Sequence, residues 1–214
     1  MLIRLRMFGE IMKVLSLEDG TKLVTAARSA VELFIRNPHF NKSMVEQHTK
    51  DLKHKYGVFV TIEYYPTKTL RGCIGFPRAI GAIGDTVVDA AIAAATEDPR
   101  FVPVSHHELN ELTFEVSVLS EPELLSKGER ARLAAIKVGR DGLIVEYGLY
   151  SGLLLPIVAV EEKWDKKRFL EETCVKAGLP RSYWKQQNVN LYRFETQVFR
   201  EETPNGRIIE VKLE

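Results

Sequence analysis

Residues 57–65, Gly-Val-Phe-Val-Thr-Ile-Glu-Tyr-Tyr, alternate apolar and polar side chains with a period of two. Val58, Val60 and Ile62 share one face, and Thr61 and Glu63 share the other. Pro66-Thr67-Lys68 reads as a turn and Thr69 to Gly75 as a second strand, so the spacing predicts an antiparallel hairpin. The alternation returns at 113–119, in apolar strands at 143–147 and 153–160, and in a closing hairpin near 189–201 and 207–213 around Pro204-Asn205-Gly206.

Helical spacing fills the intervals. Ser16 and Asp19 form a capping-box pattern ahead of Leu23, Ala26, Ala27, Ala30, Val31 and Phe34, and Asn37-Pro38 stops that helix. A second helix is expected near 43–55, and a third, with a small-residue face, carries Ile83, Val87, Ala90, Ala91, Ala94 and Ala95. Ser105 and Glu108 repeat the capping pattern, 126–135 predicts a short helix, and Gly139-Arg140-Asp141-Gly142 a turn between strands. The last helix spans 165–177, with Gly178 at its left-handed cap. Nine of the twelve residues at 161–172 are charged, which predicts a solvated helix face with Glu162 and Lys166 paired. Adjacent strand pairs separated by helices describe an α+β fold with mainly antiparallel sheet. At 214 residues this is one domain, 15–214, behind residues 1–14, which read as a short extension with Met7 and Met12 as alternative starts.

Composition removes several function classes. Thirty Lys and Arg face 29 Asp and Glu, so no global field draws in nucleic acid, although Tyr64, Tyr65 and Lys68 make a local basic-aromatic patch beside Arg71. No apolar run reaches the ~20 residues a membrane helix needs. Two cysteines, Cys73 and Cys174, fit a reduced interior, and a cytoplasmic location is expected. The five histidines show no His-x-x-x-His, Cys-x-x-Cys is absent, and no metal site or cofactor is implied. Gly72-x-x-Gly75 and Gly81-x-x-Gly84 lack the Lys-Ser/Thr of a phosphate loop.

The chemistry-bearing segment is Leu70-Arg71-Gly72-Cys73-Ile74-Gly75. Alternation predicts Arg71 and Cys73 on one side of the strand, about 7 Å apart, with Leu70 and Ile74 in a core. A guanidinium there would favour the thiolate or bind an anion. Gly72 and Gly75 mark a bend or a close approach. Asp98 and Arg100 sit in a loop after the alanine-rich helix. Glu115 lies on the polar face of its strand and would face the same cleft if that strand neighbours the Arg71 strand. His106 is a candidate thiol base. The candidate catalytic residues are therefore Cys73, Glu115 and His106; the candidate ligand-binding residues are Arg71, Gly72, Gly75, Asp98 and Arg100.

This hexapeptide resembles the motif of the AMMECR domain family. Gly57-Val58-Phe59-Val60-Thr61, Asp98-Pro99-Arg100-Phe101-x-Pro103, Glu115-Val116-Ser117-Val118-Leu119, Gly139-x-Asp141-Gly142-Leu143, Leu154-Leu155-Pro156, Trp164-Asp165 and Lys176-Ala177-Gly178-Leu179 follow family order from about residue 15 to 200. One departure is Ile157, where the family usually has Gln. The resemblance implies a fold with a larger and a smaller lobe, the hexapeptide near a cleft between them. It also implies an intracellular protein associated with Memo-like and radical S-adenosylmethionine proteins. It names no reaction. Two readings follow: a ligand- or partner-binding cleft centred on Arg71-Gly72-Cys73, or an enzyme component using Cys73 as a nucleophilic or redox thiol.

Overall fold

The computed structural model describes residues 15–37 and 39–212, so the expectation for 1–14 lies outside the described residues. Helix α1 (Leu17–Arg36) opens on a full capping box: the Ser16 hydroxyl accepts from the Asp19 N–H, and the Asp19 carboxylate accepts from the Ser16 N–H. One turn of helix, α2 (Ser43–Glu46), precedes the hairpin of β1 (Gly57–Tyr64) and β2 (Thr69–Phe76). Helix α3 (Ile83–Thr96) follows, then β3 (Leu112–Leu119), β4 (Glu123–Leu124) and α4 (Glu129–Ala135). The chain continues through β5 (Asp141–Tyr147), β6 (Tyr150–Leu154), α5 (Pro156–Glu161) and α6 (Lys166–Lys176). It ends in the hairpin of β7 (Asn190–Glu201) and β8 (Ile208–Val211).

Every strand pairing is antiparallel, and the sheet runs β2-β1-β3-β7-β5-β6, with β4 and β8 also on β7. The α+β expectation holds. Strand β7 is the axis of the molecule. Its first half, Asn190 to Glu195, pairs with β5, and its second half, from Thr196, pairs with β3 and β8. Each half carries its own core. Helices α1 and α3 cover one face of β1 and β3 with Leu23, Ala27, Val31, Val87, Ala91, Val60, Phe114 and Phe199. Helix α6 covers β5 and β6 around Phe169, Leu170, Leu143, Val145 and Trp184. A small third cluster of Leu119, Ile144 and Phe194, with Phe59, Leu153, Leu155 and Tyr192 against it, joins the two. No helix of the described residues is long and apolar enough to cross a membrane.

Four local expectations are corrected. The helix expected over 43–55 stops at Glu46 because the following backbone is used elsewhere. The carbonyls of Leu52 and His54 accept the N–H groups of Gly84 and Ile83 at the start of α3, which has no side-chain cap. The apolar run 153–160 is strand only to Leu154. Pro156 takes the first helical position of α5, where its fixed φ suits a helix and its missing N–H costs nothing. The break between α5 and α6 separates Glu162 from Lys166, whose Nζ donates to the Leu133 carbonyl. Gly139-Arg140 joins α4 to β5, not strand to strand.

Candidate functional site

The sheet face away from α1 and α3 carries the polar residues of the alternation. In register, Cys73 on β2 lies beside Thr61 on β1, Thr61 beside Glu115 on β3, and Glu115 beside Arg200 on β7. Adjacent strands are ~4.8 Å apart, so Cys73 and Glu115 are about 10 Å apart across Thr61. The Thr61 hydroxyl donates to the Cys73 Sγ at 3.3 Å. Along β1 the same face begins with Phe59, which packs into the joining cluster, and continues through Thr61 to Glu63. Gly75 stays small for this reason: a Cβ there would lie 2.6 Å from the Phe59 ring and 2.2 Å from the Val58 carbonyl oxygen.

Arg71 leaves this face. The β1–β2 register shifts between Ile62 and Glu63: Ile62 pairs with Gly72 and Glu63 with Leu70, so Arg71 is the extra residue of a β-bulge. Its Nε donates to Glu108 Oε1 at 2.7 Å and to the Tyr64 hydroxyl at 3.2 Å, on the side where Tyr64 joins the helix-covered core. The shared face expected for Arg71 and Cys73 is therefore not formed; simple alternation fails at the bulge. Arg71 is buried, its guanidinium lies 5.8 Å from the Phe101 ring centre, and its Nη1 has no hydrogen-bond partner. Burial opposes ionisation of Glu108, but hydrogen bonds from Arg71, Tyr64 and Ser105 hold its carboxyl down at about 2. The Ser105–Glu108 cap is half realised. The carboxylate accepts from the Ser105 N–H and hydroxyl, and also from Arg71 and Tyr64, but the Ser105 hydroxyl does not take the Glu108 N–H, which bonds the Ser105 carbonyl.

Gly72 touches α3 directly; a Cβ would lie 2.1 Å from the Ala94 carbonyl oxygen. Asp98, buried after α3, accepts the Cys73 N–H at 2.8 Å and so closes the free edge of β2. The same carboxylate takes the Arg100 backbone N–H, Nε and Nη2, and the Arg100 guanidinium holds it well below the usual carboxylate range. Arg100 is thus committed to Asp98, though its charge still reaches Cys73.

Burial pushes the Cys73 thiol up, against the smaller opposite effects of the Thr61 hydroxyl and Arg100. Cys174 is fully buried in the second core, and burial raises its thiol to about 11. Burial also raises Glu115, to about 7, with Glu63 adding to the shift and Arg200 opposing it. Glu63 is raised in the same way, and Glu161 at the end of α5 pushes both carboxyls further up. Ile157 lies four residues before Glu161, on the same side of α5. His106 is exposed, its ring 3.6 Å from that of His107, whereas the Cys73 Sγ is bonded to Thr61.

The structure brings together Cys73 and Glu115 on one face, and Arg71, Asp98 and Arg100 on buttresses behind and beside it. Sequence reading missed Thr61, Glu63, Glu108 and Arg200 as members of this site. The alternation at 57–65 placed Thr61 and Glu63 on the polar side, but only strand order aligns them with Cys73 and Arg200. Among the described residues, no three His, Cys, Asp or Glu side chains come together as metal ligands would.

The comparisons agree with this geometry. The AMMECR1 family model matches residues 24–199. Protein MJ0810 of Methanocaldococcus jannaschii is 45% identical over 203 residues, covering 94% of this chain and all of that protein. A protein of Thermococcus gammatolerans is 50% identical over 194 residues, covering 89% of this chain and 94% of its own. The crystal structure of the uncharacterized protein PH0010 from Pyrococcus horikoshii superposes with a TM-score of 0.85 at 46% identity, over 92% of this chain and 98% of that one. A family model that matches residues 24–199, through both cores, means that the chain belongs to the AMMECR1 family.

Proposed function

We propose that this protein binds a small polar ligand in the cleft between its two cores, on the strip formed by Cys73, Thr61, Glu115 and Arg200. The observation that carries this reading is that one row of polar side chains crosses four strands on a face partly shielded from water, with the apolar joint around Phe59 beside it along β1. Burying polar groups costs free energy unless something bonds to them, so a shielded polar strip suits a ligand that does. This moves the centre of the site from Arg71 to Cys73 and Thr61. Arg71, Gly72 and Asp98 become the frame that fixes the edge strand. The two unpaired cysteines, and the association with Memo-like and radical S-adenosylmethionine proteins that the resemblance implies, support a cytoplasmic role in which the bound ligand is passed to or from such partners.

Thiol catalysis has weaker support. Burial favours the protonated thiol, and the guanidinium expected to lower it is engaged by Glu108.

The test is amide NMR of the full chain against a library of polar fragments. Hits are expected to shift Thr61, Cys73, Glu115 and Arg200 together. Binders that cluster elsewhere, or no binders, would refute the reading.

A further inference from the structure

We propose that the cavity at the Arg200 end of the strip is a subsite for an amino-acid-sized zwitterion, with the ammonium group between Glu63 and Glu115 and the anionic group between Lys68 and Arg200. This rests on the reading of the strip as a ligand site and names the class of ligand.

The cavity has a volume of about 260 Å³ and is lined by Glu63, Lys68, Thr113, Glu115, Arg200 and Ile209, among others. That is just below the ~300–1,000 Å³ of pockets that hold drug-sized ligands, so the occupant is small. Two acids and two bases share the lining, yet among the described residues none of the four forms an ion pair within 4.0 Å. Elsewhere opposite charges do close up, as in Arg193–Glu123 at 2.7 Å between β7 and β4, and Arg78–Glu146 at 2.9 Å between the loop after β2 and β5. Glu115 and Arg200 face each other directly across β3 and β7, a register in which Cβ atoms are ~5 Å apart, and still their charged ends stay separate. Lys68 is held in the turn at a φ of 56°, which fixes where its side chain leaves the backbone. Glu201, also in the lining, is used up by Arg28, which donates to both of its oxygens at 2.5 and 2.6 Å.

A ligand with only a positive group would meet Lys68 and Arg200 without a partner for them. One with only a negative group would sit against Glu63, Glu115 and the Glu202 rim. A zwitterion answers both signs at once, and Thr113 supplies a neutral hydroxyl between them. Tyr65 and Ile209 form the wall for a side chain. An ammonium between the two carboxyls would also favour the ionised form of Glu115, so binding at neutral pH should release a proton.

The experiment is isothermal titration calorimetry of the full chain with each of the twenty standard amino acids at pH 7, in two buffers of different ionisation enthalpy. The best binder is then replaced by its methyl ester, which lacks the anion, and by its N-acetyl form, which lacks the cation. At least one amino acid is expected to bind with a Kd below about 1 mM, with proton release. Both derivatives should bind at least about tenfold more weakly, as should the parent with Glu115→Gln and with Arg200→Gln. The ligand derivatives keep the test valid if either variant folds poorly. If no amino acid binds while other fragments shift the strip amides, the zwitterion assignment falls and the strip reading stands. If either derivative binds as tightly as its parent, the assignment also falls. If neither amino acids nor fragments touch the strip, both fall.

Discussion

Cys73 is half-buried, bonded to Thr61, and pushed toward the thiol by burial; Cys174 has no exposed surface at all. Labelling with iodoacetamide should therefore be faster at Cys73 than at Cys174 in the folded chain. The Cys73 rate should still be rising at pH 9 and above, because the thiolate, not the thiol, reacts. A rate that levels off well below pH 8.5 would mean an activated thiolate and would put the enzyme reading ahead of the binding one. At this scale the sequence pointed to Cys73 and to its flanking glycines. Gly72 and Gly75 both prove to be positions where a Cβ would strike backbone within 2.3 Å. Arg71 was misplaced because a bulge is one extra residue in a pairing, and nothing in Leu70-Arg71-Gly72 says which residue is extra.

The edge strand β2 is held by two carboxylates, Glu108 through Arg71 and Asp98 through the Cys73 N–H. Replacing Arg71 with Met leaves the Glu108 carboxylate half-buried with only Tyr64 and Ser105. Loss of one partner from a buried pair typically costs ~3–5 kcal/mol, and partial exposure of Glu108 brings the expectation to about 2–3 kcal/mol in urea unfolding. Lysine should not restore the loss, since it lacks the Nε that meets both Glu108 and Tyr64. A Lys variant as stable as the parent would contradict this account. Both carboxyls are depressed, so their contribution is full above the ordinary carboxylate range and is lost as pH falls toward the folded values. Most elements were legible: α1 with its capping box, the 57–75 hairpin, α3, α6 with Gly178 at a φ of 75°, and the final hairpin. The errors came where backbone groups served distant partners, as after α2, or where a proline began a helix inside an apolar run, as at Pro156.

Across the whole molecule, β7 pairs with strands of both halves of the sheet, and the Phe59–Phe194 cluster locks the two cores at the joint. Both tryptophans, Trp164 and Trp184, belong to the second core, so their fluorescence reports on that half alone. Urea unfolding followed by tryptophan fluorescence and by far-ultraviolet circular dichroism should give coincident transitions. An earlier fluorescence transition would mean that the second core opens independently. Strand order could not be read from the chain, and strand order is what makes the site. Cys73, Glu115 and Arg200 are far apart in sequence and meet only because β1 and β3 lie between β2 and β7.

The central claim is that this polar strip is shielded enough to act as a binding site, and Glu115 reports on it directly. Its carboxyl carbon can be followed by ¹³C NMR across pH, with Glu115→Gln for assignment. A midpoint near 7 is predicted, from burial first and Glu63 second. With a raised folded value, this group makes stability fall as pH rises from about 4.5 to about 7, because the folded state keeps a proton that the unfolded chain has released. Glu115→Gln should remove that part of the pH dependence, on the order of 1–3 kcal/mol. A midpoint near 4.5, the ordinary value, would mean that water reaches the strip freely and that it is open surface.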